Sequence, residues 1–278
     1  DCLSRTHVVL WEGGEWLEEK VKLAELLHDT EGLMPPTFTI SAEGEWSELL
    51  CGTLQDRTLL TESELEKKRW YVKDSSRNYG TGISICNGLK SCREKCTRGE
   101  RFVVQLAVEP QLLIRETKFC VRIYLLVVSS KEEPFMHFYT YQDGWITLAS
   151  KPCQENSLEW DRNVARDRCI RLREWGSGGY IYPICRQSLQ QVISLARPKL
   201  VQKSDVTSYE LFGVDYIIDQ NKLPWLLEIN RSPRQQDADR EKSDKVMTHS
   251  MFNLILDEDR APPKYACNTW QWERLELR

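Results

Sequence analysis

Residues 211–230 read LFGVDYIIDQNKLPWLLEIN, and this stretch decides the fold. Two apolar runs, about 211–218 and 224–230, flank a polar turn at Asp219–Lys222, which is the pattern of a β-hairpin. Side chains alternate between the faces of a strand. Val214, Tyr216 and Ile218 therefore share one face of the first strand, and Trp225, Leu227 and Ile229 share one face of the second. With those sets turned to the core, Asp215, Glu228 and Asn230 point the other way. Any register that joins the apolar sets also joins the polar ones. Two carboxylates and an amide carbonyl on one sheet face are the oxygen-rich set that magnesium prefers. The plain alternative is a solvated face with incidental acids, which suits Asp219 at the turn. It suits Glu228 poorly, because an acid in mid-run is set for burial, and a buried unpaired carboxylate is costly.

The upstream run KFCVRIYLLVVS (118–129) follows the same logic. Phe119, Val121, Ile123, Leu125 and Val127 form an apolar face, with Lys118, Cys120, Arg122 and Tyr124 opposite. Cations beside the acids make a polyphosphate pocket, or simply neutralise those acids as salt bridges. Further back, WYVKDSSRNYGTGISI (70–85) places Lys73 at a strand end, then a loop of mainly small and polar residues closing on Gly80-Thr81-Gly82, then another strand. Glycines let backbone N–H groups approach phosphate oxygens while the lysine supplies charge. No GK[ST] follows and a strand comes next, so this is not a Walker loop. A lone GxG is weak. Its weight comes from order: lysine and glycine loop, a strand ending at Gln105, the cation strand, then the acidic hairpin.

The remaining pattern mixes helices with antiparallel hairpins. Helical spacing predicts helices over 16–28, 61–68 (Thr61 as cap, Glu64 three residues on), 187–199 and 243–256. A hairpin is expected over 135–149 around Gln142-Asp143-Gly144, and a mobile basic region over 155–182. The class is α+β rather than a doubly wound sheet.

Composition narrows the function. A net charge of −4 in 278 residues argues against non-specific nucleic-acid binding. No apolar run approaches the ~20 residues of a membrane span, so neither nucleic acid nor membrane is expected as a partner. Ten cysteines are scattered without a disulfide pattern. Cys86, Cys92 and Cys96 lack CxxC spacing and a nearby histidine, and read as thiols in a reducing compartment rather than a zinc site. The chain opens on Asp1 rather than Met, so a leader or an upstream domain is expected before it, and a missing targeting signal decides nothing.

Taken in order, these pieces resemble the tubulin–tyrosine ligase-like family of ATP-grasp ligases. MPPTF, RWYVKDSSRNYGTGI, VVQLAVEPQLLIRETKFCVRIYLLV, YTYQDGWITLAS and, above all, ELFGVDYIIDQNKLPWLLEINRSP carry the resemblance, from about residue 20 to 250. It implies an ATP-grasp fold of two α+β subdomains, mainly antiparallel, enclosing a nucleotide cleft. The subdomain pattern would be 1–34 as the remnant of an N-terminal domain, 35–110 central, 111–260 with the magnesium site, and 261–278 as a tail. It further implies ATP and Mg2+ as cofactors, with a free amino acid and tubulin or another acidic protein tail as partners. A cytoplasmic, cytoskeleton- or cilium-associated setting follows from the same likeness. By position, Lys73 would contact the α/β-phosphates, helped by the Gly80–Gly82 loop, while Gln105 and the backbone at Leu106 would hold adenine. Lys118 and Cys120 would line the nucleotide pocket, and Arg122 would lie at the γ-phosphate. Asp215, Glu228 and Asn230 would hold magnesium, with Arg122 and Glu228 as the catalytic pair. Asn163 would match the family's "LTN" asparagine.

The departures matter as much. Cys120 stands where the family has aspartate, Leu106-Ala107 replaces Lys-Tyr, and Thr147 replaces an arginine. One lost charged contact costs ~1.5–3 kcal/mol. Retained metal ligands with eroded substrate contacts fit a ligase with a new substrate, or a degenerate pseudoenzyme serving as a scaffold. An acidic chain repels an acidic tail, and the arginines at 162, 166, 168, 171 and 173 are either a docking patch or an ordinary solvated face.

Overall fold

The computed structural model describes residues 6–7, 12–47, 61–77, 81–129, 136–201, 207–233, 238–256 and 272–277. Within them the order is β1 (Thr6–His7), α1 (Glu15–Glu18), α2 (Lys20–Leu26), β2 (Thr37–Ile40), α3 (Glu62–Leu65), β3 (Arg69–Asp74), β4 (Ile83–Asn87), α4 (Gly88–Lys95) and β5 (Phe102–Leu106). There follow β6 (Leu113–Ile114), β7 (Thr117–Ser129), β8 (Met136–Ala149), α5 (Trp160–Asn163), β9 (Ala165–Arg171), α6 (Gly178–Ala196), β10 (Thr207–Ile218), β11 (Pro224–Arg231), α7 (Ala238–Leu256) and β12 (Trp272–Arg274).

Two sheets result. The smaller runs β2-β5-β3-β4, all antiparallel. The larger runs β1-β10-β7-β8-β12, with β11 on β10, β6 on β7 and β9 on β8, and only the β1–β10 pair is parallel among the described strands. This is the α+β, mainly antiparallel arrangement the sequence predicts. Phe119, Val121, Ile123, Leu125 and Val127 are all buried in one core with Phe212, Val214, Tyr216 and Ile218, as alternation requires. The α3 cap also holds: the Thr61 amide donates to Glu64 Oε2 (2.7 Å), and the Glu64 amide to Thr61 Oγ1 (3.3 Å).

Several expectations need correction. The 16–28 helix is broken at Glu19, whose ψ of 118° is extended, into α1 and α2. Residues 12–34, expected as the remnant of an N-terminal domain, pack against the larger sheet, with Leu17, Leu23, Ala24, Leu27, Leu33 and Met34 buried in its core. Residues 272–277 are not a tail either: β12 pairs with β8, and Leu275 is buried with its amide on the Phe138 carbonyl (2.8 Å).

The expected 135–149 hairpin is one continuous strand. Gly144 faces Ile123 of β7 so closely that a Cβ there would lie 2.1 Å from the Arg122 carbonyl oxygen. The glycine answers a close strand approach beside a register shift, not a turn. The 155–182 region is ordered as α5, β9 and the start of α6. That last helix runs nine residues further upstream than the spacing predicts. Pro183 leaves only the carbonyl of Gly179, four residues back, without its helical donor, and Gly179 is solvent-exposed.

Candidate active site

The hairpin β10–β11 brings its acids together. Asp215 lies directly opposite Glu228, and Gly213 opposite Asn230. A register shift falls just beyond, between Asp215 and Tyr216, so Leu226 rather than Leu227 or Trp225 is buried beside Ile229. Strict alternation therefore misassigns 225 and 227, while the acids, on the other side of the shift, keep their predicted face. The Asn230 amide nitrogen donates to Asp215 Oδ2 (3.1 Å) and to Glu228 Oε1 (3.0 Å).

Arg122 on β7 is in register with Asp215 and grips it with both arms: Nε to Oδ1 at 2.8 Å and Nη2 to Oδ2 at 2.6 Å. Burial acts to lower the Arg122 pKa, but Asp215 outweighs it and raises the pKa, so the guanidinium stays charged. The salt-bridge reading of this cation is the one the structure adopts.

The smaller sheet supplies the facing wall. Arg69, Tyr71 and Lys73 alternate along β3 on one face. Lys73 is buried and donates to Gln105 Oε1 (2.7 Å), while Gln105 Nε2 reaches Thr37 Oγ1 (3.3 Å). Burial pushes the Lys73 pKa down, opposed by the negative field of Glu228. For Glu228, burial acts upward, but Lys73, Lys20, Asn230 and Arg122 together outweigh it and lower its pKa. Lys73 and the hairpin acids thus share one electrostatic site. The Cys120 thiol belongs there too, pushed well above its ordinary pKa by burial and then by Asp215. It is paired on β8 with Thr147, whose hydroxyl lies 3.7 Å from Cys169 Sγ.

The loop after β3 is tied by Asp74, whose Oδ1 accepts from the Ser76 amide (2.9 Å) and hydroxyl (2.6 Å) and whose Oδ2 meets Arg77 Nε (3.1 Å). Gly82 has a positive φ of 84°, and Gly80 lies outside the described residues. Lys20 of α2 donates to the Arg77 carbonyl (3.1 Å) and lends its charge to Glu228. Sequence reasoning missed Lys20. Its only signal was a cation on the polar side of an amphipathic helix, and nothing local links that helix to the glycine loop.

Lys118, expected beside Arg122, belongs to a separate group. Its Nζ donates to Asn163 Oδ1 (2.9 Å) and Glu109 Oε1 (3.3 Å). Arg69 also binds Glu109 and reaches Asn163 Oδ1 (3.3 Å). The Asn163 amide nitrogen is held by the Ser157 (2.9 Å) and Glu159 (2.8 Å) carbonyls. At the hinge, the Leu106 and Ala107 amides are taken by the carbonyls of Pro36 (2.8 Å) and Arg69 (2.9 Å). The backbone at 106 thus offers no free donor for an adenine edge.

Three arginines of the basic run are engaged within the molecule, while Arg168 is exposed. Arg171 is buried on the fully buried Asp143 and over the Trp145 ring, Arg173 is drawn to the same carboxylate (3.4 Å), and Arg162 pairs with Glu159 (3.0 Å). The Arg166 side chain lies outside the described residues. Among the cysteines first considered, Cys92 is buried with its thiol on the Gly88 carbonyl (3.3 Å), and Cys96 binds the Cys92 carbonyl (3.2 Å).

Among the described residues no three His, Cys, Asp or Glu side chains converge as a metal cluster. The candidate set is instead two carboxylates and one amide. Both carboxylates already accept from a single group, Asn230, at about hydrogen-bonding distance. Turning that amide over would present its oxygen to the same point, giving three hard oxygen donors of the kind that magnesium takes.

The family model described as "Tubulin-tyrosine ligase family" matches residues 14–165 and 179–268. Similar curated proteins include Tubulin glycylase 3E of Tetrahymena thermophila, 23% identical over 69% of this chain and 16% of that protein. Tubulin monoglycylase TTLL3 of Danio rerio is 27% identical over 59% of this chain and 25% of that protein. Probable alpha-tubulin polyglutamylase Ttll1 of Tetrahymena thermophila is 26% identical over 59% of this chain and 48% of that protein. The chain spans less than half the length of each of these relatives.

Proposed function

The chain belongs to the tubulin-tyrosine ligase family, with its ATP-grasp fold, and on that premise we propose that it is an ATP- and magnesium-dependent ligase joining an amino acid to a protein carboxylate, tubulin's foremost. The observation that carries the reading is the meeting of Asp215 and Glu228 on one face of their hairpin, within the electrostatic reach of buried Lys73. The γ-phosphoryl group of ATP passes to a carboxylate oxygen and ADP departs. The amine then attacks the acyl carbon, the amide bond forms, and inorganic phosphate leaves as the amine gives up a proton.

Each residue has a task in that sequence. Asp215, Glu228 and Asn230 hold magnesium, which supplies charge neutralisation for the phosphoryl oxygens. Lys73 and Lys20 neutralise the polyphosphate. Arg122 fixes the orientation of Asp215 and turns its remaining donor toward the transferring group. Gln105 positions the Lys73 ammonium.

The test is incorporation of radiolabelled glycine, glutamate or tyrosine into tubulin and glutamate-rich peptides with Mg-ATP. Glu228→Gln is expected to lower incorporation at least about a hundredfold, the scale of losing one electrostatic partner of the transition state. Undiminished incorporation by that variant contradicts its role. A second reading, a non-catalytic scaffold, is favoured by Cys120, by Thr147 in place of an arginine, and by the engaged Leu106 and Ala107 amides. Mg-ATP binding without incorporation into any acceptor would select it.

A further inference from the structure

Three thiols from two elements meet behind the wall that carries Lys73. Cys86 of β4 stands opposite Trp70 of β3, on the sheet face turned away from Lys73, and is buried in one core with Trp70, Val72 and Cys92 of α4. Cys92 donates to the Gly88 carbonyl (3.3 Å), and the Cys86 thiol lies against it as a hydrogen-bond partner. Cys96, at the C-cap of α4, donates to the Cys92 carbonyl (3.2 Å). It is half-buried at the rim of the same core, within the electrostatic reach of Cys86. All three are free, and the ligase reading uses none of them. Packing alone accounts for the two buried thiols, because a free cysteine fills space as a small apolar group. A third thiol that meets both water and that pair adds a path for exchange.

We propose that this cluster is a thiol-exchange site for low-molecular-weight disulfides, with Cys96 as the entry thiol and Cys86 as the thiol that resolves the adduct. Cys96, as thiolate, attacks one sulfur of the small disulfide. That S–S bond breaks, and the departing thiolate takes up the proton that Cys96 gave. Cys86 then attacks the Cys96 sulfur, and its proton goes to the second small thiolate, which leaves as a thiol. The protein thereby loses two electrons and two protons, and the small disulfide becomes two thiols. Cys92 is not the resolving group. Residues four apart on a helix hold their Cβ atoms about 5–6 Å apart, beyond the ~3.5–4.5 Å that a disulfide spans. Cys86 comes from another element and is free of that spacing. The cross-link ties the end of β4, the strand that follows the glycine loop, to the far end of α4.

The experiment is incubation of the folded protein with glutathione disulfide, followed by peptide mapping by mass spectrometry without reduction. Wild type is expected to form a Cys86–Cys96 cross-link that dithiothreitol reverses. Cys86→Ala is expected to stop at a glutathione adduct on Cys96, and Cys96→Ala to form neither adduct nor cross-link at Cys86. Burial, and behind it Cys86, pushes the Cys96 thiol up to about 11. Its reactive thiolate is therefore scarce at neutral pH, and the rate at which Cys96 is consumed should rise about tenfold per pH unit between pH 7 and pH 10. A chain that stays reduced at these thiols throughout that range, a rate independent of pH, or a bridge that maps to Cys92 overturns the inference. Where Cys86→Ala does not fold, Cys96→Ala at the rim decides. Oxidation of Cys86 without Cys96 overturns the entry role, and its absence supports it. These outcomes are independent of nucleotide binding and of amino-acid incorporation.

Discussion

Glu210 stands in β10 two residues before Phe212 and is 2% exposed, facing Arg231 of β11 (2.7 Å) and sharing that guanidinium with Glu18 of α1 (3.0 Å). Burial raises its pKa to about 7, Arg231 pulls the other way, and Glu18 adds to the rise. The ion pair is well made, yet one guanidinium divided between two carboxylates does not offset the dehydration of the buried one. In the unfolded chain this group titrates at its ordinary value of 4.5. The fold therefore holds a proton that the unfolded chain gives up. The contribution is fully present below pH 4.5 and is lost as pH rises through 7, with a magnitude on the order of 2–3 kcal/mol. Glu210→Gln keeps an oxygen for Arg231 and no longer titrates. Urea unfolding at pH 5 and at pH 8 should show wild type losing stability relative to the variant by that amount; parallel stabilities at the two pH values would exclude the raised pKa.

At the scale of elements, legibility followed period. β7 and β10 kept strict two-residue alternation, as did the end of β11 beyond the shift, so the core faces of β7 and β10 and the placement of Asp215, Glu228 and Asn230 were readable from spacing alone. Readability failed where one residue was inserted or a neighbour was distant. The register shift after Asp215 moved Leu226 into the core in place of Leu227, and β8 carried Gly144 for an approach to β7 that no local pattern announces. Lys118 and Arg122 share a face of β7, yet they pair with Glu109 and Asp215, partners fixed only when the sheets pack. Gly144 also offers a test. A methyl group there meets a backbone oxygen at 2.1 Å, which cannot yield without parting β7 from β8. Gly144→Ala should cost about 2–4 kcal/mol. Because the clash is with the Arg122 carbonyl, it should also weaken Mg-ATP binding more than a distant substitution of equal cost does. Equal affinity in the folded variant would show that Arg122 does not depend on this strand contact.

Across the whole molecule the candidate site is assembled from three separate parts of the fold. Lys20 comes from the N-terminal helices, Lys73 and Gln105 from the smaller sheet, and Asp215, Glu228 and Arg122 from the larger one. The helices that carry Lys20 contact both sheets, and their leucines lie in the larger sheet's core, so the three parts should unfold together. A nucleotide spanning them, as proposed, would bind only the assembled fold. It then stabilises by RT ln(1 + [L]/Kd), about 2.7 kcal/mol at a hundredfold excess over Kd. At ~2–4 °C per kcal/mol for a chain of somewhat smaller size, Mg-ATP should raise a single melting transition by about 5–10 °C. Asp215→Asn removes a proposed metal ligand and the partner of Arg122, and Lys73→Gln removes the facing cation, so each should abolish most of that rise while ADP without metal gives little. A rise of equal size in all three proteins would place nucleotide elsewhere on the molecule and dissolve the assigned roles. A rise confined to one of two resolved transitions would instead show that ligand and fold are not coupled across the seam, and that Lys20, Lys73 and the hairpin acids do not act as one site.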